Sequence, residues 1–284
     1  MKTQEILGIA RPPTPLGPPQ GNTVSVSDVT GLRSAIEGAA PDTTIVIADG
    51  TYEIDAEIVL TQNRVTIRGE TSDRERVVLD GMGRFGRILT LKGASDFLIA
   101  DLTFSNSKQY GLLIYGDSNA QRTCIHNVKF HNIWVRGLKG THPARIDDRS
   151  DNLHPEEKID SVRPKGGSVR HCLFTNDIVK PYDDDGFDGD YVSGIDMMGL
   201  SEWTFADNVF LGIRGKNGGC RGAIFVWVNS DHVTAERNVI IHCDRGIAFG
   251  NPSGEPPHMT AGLVRNNVIV GRTNIAIEMS KTVD

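Results

Sequence analysis

Cations crowd into one glycine-rich stretch, NVFLGIRGKNGGCRGAIFVW (208–227), which gathers Arg214, Lys216 and Arg221 between two strand-like apolar runs. An earlier stretch, WVRGLKG, echoes it with Arg136 and Lys139. Arg245 stands before a later apolar run in a place equivalent to that of Arg221. Like charges stacked in this way repel unless a carboxylate or an anionic ligand lies between them. On a chain of formal charge −6, such a local inversion of sign is what an anionic ligand needs. Pairing of the arginines with Asp196 or Asp244 is the structural alternative.

Carboxylates are the other notable groups. Asp196 falls in an outward strand position whose equivalents, on an alignment that places each run's leading Gly or Asn together, are Leu113, Ile224, Ala248 and Ala276. Tyr115 and Glu278 face outward two positions further on. The run DDDGFDGD places Asp183, Asp184, Asp185, Asp188 and Asp190 too close together to lie without counter-charge, and Ca²⁺ prefers such hard oxygens. Asp184, Asp185, Asp188 and Asp190 are therefore candidate calcium ligands, although Ile195 stands where an EF-hand needs its bidentate Glu. His142 is a candidate catalytic residue if the polar insertion around it folds over a groove. No histidine or cysteine pair has zinc-site spacing, and Cys124, Cys172, Cys220 and Cys243 read as buried, unbridged thiols.

The elements that must position these groups are strands. Thirty-one glycines, thirteen prolines and few aromatics suit short strands and turns. DLTF, NVKF, HCLF, DNVF, RNVI and NNVI repeat one pattern ending in Phe or Ile, and GLLIY, GIDMM, GAIFV, GIAFG and NIAIE supply a second strand after most of them. A period near 30 residues with two strands and no helix is a coil of a parallel β-solenoid, stacking like residues on like at about 4.8 Å. Ahead of the coils, GLRSAIEGAA, preceded by Thr30, places Leu32, Ala35, Ile36 and Ala39 on one helical face. Residues 1–21, rich in proline, form a leader outside the core or draped along it. The long polar excursions, residues 138–167 and 180–190, are loops grown from a regular scaffold.

The opening VSDVTGLRSAIEGAAPDTTIVIADGTYEI resembles the start of pectate-lyase-like right-handed parallel β-helix proteins, and Asn106, Asn132 and Asn176 are similar to that superfamily's asparagine ladder. The resemblance covers residues 22–284. It implies an all-β, single-stranded right-handed parallel β-helix with a short N-terminal capping helix, and an extracellular or periplasmic location. It also implies an acidic, uronic-acid-containing polysaccharide as substrate, cleaved by lyase β-elimination. In that chemistry the uronate carboxylate must be neutralised by arginines or Ca²⁺. Lys216 is then the candidate base, Arg221 and Arg245 the clamps, with Asp196 and His142 in the same groove and Arg214, Arg136, Lys139 and Tyr115 binding substrate. A glycoside hydrolase using Asp185, Asp188 and Asp196, and a glycan-binding scaffold without catalysis, are the alternatives.

The acidic balance argues against a nucleic-acid partner, and no run approaches the length of a membrane span. The N-terminal stretch lacks the apolar core of a signal peptide, which reads as a cytoplasmic chain or one whose leader has been removed. NIAIEMSKTVD stops in mid-pattern, so the last rung reads as truncated or as covered by a second copy of the chain.

Overall fold

The computed structural model describes residues 3–83, 86–142, 156–182, 187–253, 258–271 and 273–283. Parallel strands stack into three long sheets, so each full coil contributes three strands where the repeat analysis found two. The additional strand carries no Phe or Ile marker of its own. Leu98–Ala100, Cys124–His126, Ser168–Arg170, Thr204–Ala206, Thr234–Glu236 and Leu263–Arg265 each hold three residues just ahead of the Phe or Ile marker. Too short for an alternating pattern, they nevertheless bury Ile99, Ile125, Val169, Phe205 and Ala235 in one column.

Inside the solenoid, like residues stack on like. Phe104, Phe130, Phe174 and Phe210 form a continuous ring column, with centroids 5.4, 4.6 and 4.7 Å apart. These rings dictate the glycines opposite them. A Cβ on Gly111, Gly137 or Gly194 would lie 2.8–2.9 Å from Cδ1 of Phe130, Phe174 or Phe210 respectively. The chain therefore turns its corner into the third sheet on a residue with no side chain.

This corner sets the register, and the register corrects the alignment made on leading residues. Ile195 pairs with Ile224, so Asp196 pairs with Phe225, and Gly222 falls one place before the corner held by Ala223. In the last coil, Ile277 pairs with Ile247 and Glu278 with Ala248. The outward column of the third sheet thus reads Thr90, Leu113, Lys139, Asp196, Phe225, Ala248, Glu278. Phe225, which an alignment with Ile224 outward would turn inward, is outward. Arg221 and Arg245 are not equivalent: Arg245 occupies the register position of Ile275, and Arg221 lies outside the strands.

The asparagine ladder exists at other positions. Asn208 Nδ2 donates to Asn238 Oδ1 at 3.0 Å, and Asn238 Nδ2 donates to Asn267 Oδ1 at 2.9 Å, inside the corner between the first and second sheets. Asn106 instead donates to Asp80, and Asn132 accepts from the Asp177 backbone.

Two features close the sides. The capping helix runs Val29–Glu37, with Asp28 rather than Thr30 as its N-cap, accepting from Gly31 N at 2.7 Å, and buries Leu32 and Ile36. Residues 3–20 form a strap along the coils. The helix Thr3–Leu7 plants Ile6 on Val239 and Ile241. The chain then passes His171, which contacts Arg11 O at 3.3 Å, and His126, which contacts Thr14 O at 2.9 Å. Arg68 donates to Gly17 O and Thr44 to Gln20 O. The helix Glu156–Val162 lies within the long insertion. Among the described residues, no helix is long and apolar enough to cross a membrane.

Candidate functional site

The corrected register brings Arg136, Lys139 and Asp196 together on the outward face of the third sheet. Arg136–Gly140 and Ser193–Met198 are adjacent strands with Lys139 directly opposite Asp196. Arg136 Nε donates to Asp196 Oδ2 at 2.6 Å, and Lys139 Nζ lies 3.1 Å from the same oxygen. That second approach is an ion pair by distance but lies off the line of a hydrogen bond, which leaves the ammonium protons unpartnered. On the next coil, Trp227 Nε1 donates to Asp196 Oδ1 at 3.1 Å. Trp227 completes a cluster that no spacing rule in the sequence would have assembled.

Burial makes the cluster unusual. Arg136 is 0% exposed, Asp196 1% and Lys139 5%. Tyr191 lies flat over the guanidinium, with the Arg136 Cζ 3.8 Å from its ring centroid, and Phe187 stacks on Tyr191 at 4.7 Å. Burial by itself would raise the Asp196 carboxyl, but the Lys139 and Arg136 charges outweigh it and hold the group below its ordinary value. Burial would likewise lower Arg136, and Asp196 overcomes it to raise the guanidinium further. Tyr110, in register with Arg136, is pushed up to about 12, first by burial and then by Tyr191 and Asp196 against the pull of Arg136 and Arg87.

Two cations against one carboxylate leave one positive charge over among the described residues of this cluster. Three polar atoms there also have no hydrogen-bond partner: Arg136 Nη2, Lys139 Nζ and Ser193 Oγ, the last on the register partner of Arg136. A buried donor without an acceptor costs about 1–3 kcal/mol, and more when charged. An anionic oxygen is the group that would satisfy both the donors and the charge.

The other expected site residues lie elsewhere. Arg214 Nε pairs with Asp244 at 3.2 Å, and Arg245 pairs with Glu278 at 2.9 Å, a carboxylate other than the two anticipated. Arg221 sits 4.9 Å over the Phe187 ring. Lys216 is exposed, its backbone N–H donating to Gly189 O at 3.0 Å. The glycine loop is thus pinned between neighbouring coils. Asp244 accepts from Gly215 N and Cys220 N below it, and Asp190 accepts from Asn217 N at 2.8 Å on the other side. Asp190 is engaged in this clamp and Asp188 is exposed, its backbone oxygen accepting from Asn217 Nδ2. Asp184 and Asp185 lie outside the described residues. Among the described residues, no three His, Cys, Asp or Glu side chains gather in a way that would hold a metal ion. Tyr115 stacks with Lys92 and meets Arg87. His142 lies two residues past the strand bearing Lys139, at the edge of the described residues. Cys124, Cys172, Cys220 and Cys243 are unbridged, and burial raises each thiol.

No protein-family profile and no curated protein sequence matches this chain. Solved structures do. The A-module of a mannuronan C-5 epimerase from Azotobacter vinelandii superposes with TM-score 0.57 at 14% identity, covering 88% of this chain and 63% of that one. A mannuronic acid specific polysaccharide family 6 lyase from human gut microbiota gives 0.52 at 16%, covering 87% and 59%. A PL6 family alginate lyase gives 0.51 at 14%, covering 94% and 39%. The chain therefore spans about 39–63% of the length of these three neighbours. With its coil of three parallel sheets, this chain has the parallel β-helix fold that these neighbours share.

Proposed function

We propose that the protein is a polysaccharide lyase that cleaves a uronic-acid-containing polymer by β-elimination, with the Arg136–Lys139–Asp196 cluster receiving the uronate carboxylate. The observation that carries this reading is the unbalanced, buried positive charge with unused donors at Arg136 Nη2 and Lys139 Nζ. Structural neighbours that act on alginate and mannuronic acid polymers support the substrate class.

In the reaction a base removes the proton at C5, α to the carboxylate. The electron pair forms the C4–C5 double bond, and the C4–O bond breaks. Negative charge builds on the carboxylate as the proton leaves, so donors poised there bind the transition state more tightly than the ground state. Arg136 supplies a fixed planar edge for this, and the Lys139 side chain can place a proton on the departing oxygen. Asp196, held ionised by the Lys139 and Arg136 charges, orients both cations. This locked state suits it poorly to a hydrolase's proton-donating acid.

The test offers polymannuronate, polyguluronate, pectate and a glycosaminoglycan, with and without Ca²⁺, and follows the ultraviolet absorbance of unsaturated product. Arg136→Met is expected to lower kcat/KM by about 100-fold or more while leaving stability unchanged or higher, since it removes the surplus buried charge. No product on any polymer, or full activity in Arg136→Met, overturns the reading.

A further inference from the structure

The Arg136 cluster is shut off from solvent, so a uronate can reach it only if something covering it moves. Tyr191 lies flat over the buried guanidinium, and Phe187 stacks on Tyr191 with an interplanar angle of 16°. Phe187 itself is 47% exposed, so the cover over the arginine is thin. The two ends of this cover are held differently. Val192 and Ser193 are buried and tied to the coils on either side: Arg221 N donates to Val192 O at 2.8 Å, and Ser193 N to Val135 O at 2.9 Å. Residues 187–190 turn instead on Asp188 and Gly189, with left-handed φ values of 51° and 82°, and meet the glycine loop. There Lys216 N donates to Gly189 O at 3.0 Å, Asn217 Nδ2 to Asp188 O at 2.8 Å and Asn217 N to Asp190 Oδ1 at 2.8 Å. The glycines of that loop make room for the Asp190 carboxylate. A Cβ on Gly219 would lie 2.7 Å from Oδ2, and one on Gly215 would collide with Oδ1.

We propose that residues 187–191 are a lid over the carboxylate site, hinged at Val192 and latched to the glycine loop through Asp190, and that a uronate enters when the latch opens. The inference rests on the function proposed above and adds how its buried donors are reached. Lys216, Asn217 and Asp188 are exposed, so water can take over the latch bonds at little net cost. Lifting the rings then uncovers a desolvated cation with an unused donor, which a carboxylate satisfies. Opening of this kind is local, leaving the stacked strands intact.

Two measurements read the lid without any ligand. In Asp190→Ala the Lys216 amide, whose own acceptor is Gly189, should exchange its hydrogen about tenfold faster than in wild type, with the amides of Ser193–Met198 unchanged. Arg136 should be modified by phenylglyoxal about tenfold faster, followed by peptide mass mapping. Asp190→Asn, which keeps the oxygen that accepts from Asn217, should stay within about threefold of wild type in both. A short oligomannuronate should associate about threefold or more faster with Asp190→Ala, because a larger fraction of molecules is open. A loop that merely frayed would speed the Lys216 amide and leave Arg136 protected. Arg136 modified no faster in Asp190→Ala, or an unchanged association rate with a ligand that binds, overturns the inference. If the wild-type protein neither binds nor cleaves any uronate, the functional reading fails, and the lid is judged on Arg136 modification alone. Gly219→Ala, whose methyl group displaces Asp190 Oδ2, replaces Asp190→Ala if that variant does not fold.

Discussion

Asp196 and Asp244 sit two coils apart, are 1% and 3% exposed, and each is met by three groups. Asp244 takes one arginine and two backbone amides, so its charge is balanced and its work is to shape a loop. Asp196 takes an arginine, a lysine and an indole, and one positive charge is left over. What separates scaffolding from a site here is the charge count within a buried set and the donors that remain unused. The number of cations in a stretch of sequence carries neither quantity.

The largest effect that separates the two should come from removing each carboxylate. Asp196→Ala leaves two cations buried without a partner, and a loss of about 3–5 kcal/mol in denaturant unfolding is expected. Asp244→Ala leaves a half-exposed Arg214 and two amides, with an expected loss of about 1–3 kcal/mol. Equal losses would erase the distinction.

A smaller, sharper effect is expected on acidification. Because the Asp196 carboxyl is held below its ordinary value in the folded state, its contribution is complete above the unfolded carboxylate value and is lost as pH falls through the lower folded one. The gap in stability between wild type and Asp196→Asn should be flat from about pH 5 to 8 and begin to close below about pH 4. A gap that closes near neutrality would mean that the carboxyl is not held ionised by its neighbours.

The smallest effects belong to the glycine loop. Lys216→Ala and Arg214→Ala should change kcat/KM by about twofold or less, and the loss of the Arg214 pair should cost about 1 kcal/mol or less. A hundredfold loss in Lys216→Ala would return the chemistry to that loop.

Much of the fold could be read from the chain because stacking repeats itself. The Phe column and the period are each written several times over, and the capping helix is written once, by the apolar face of Leu32 and Ile36. Register was harder, since a leading glycine is a poor marker. Gly111, Gly137, Gly194 and Gly246 occupy the corner because phenylalanine edges or the backbone of the adjacent coil leave no room for a Cβ, whereas in GAIFV the corner is Ala223. A slip of one residue turns a strand over. It hid Phe225 and, with it, the ring on which Trp227 stacks. Arg136, Lys139 and Asp196 could be singled out as types, but their surplus charge and the unused Nη2 depend on burial and on bond angles that appear only in three dimensions.

The strap at residues 3–20 has a consequence for how the molecule comes to be assembled. Its anchors run from Thr44, early in the chain, to Ile241, near its far end. Synthesis proceeds from the N-terminus, so Thr3–Leu7 is made well before its seat on Val239 and Ile241. Coils can add one upon another as they emerge, each contact being local to its neighbour. The strap cannot: its closure joins residues more than two hundred positions apart and has to follow the fifth repeat, so a segment made before the coils settles after most of them.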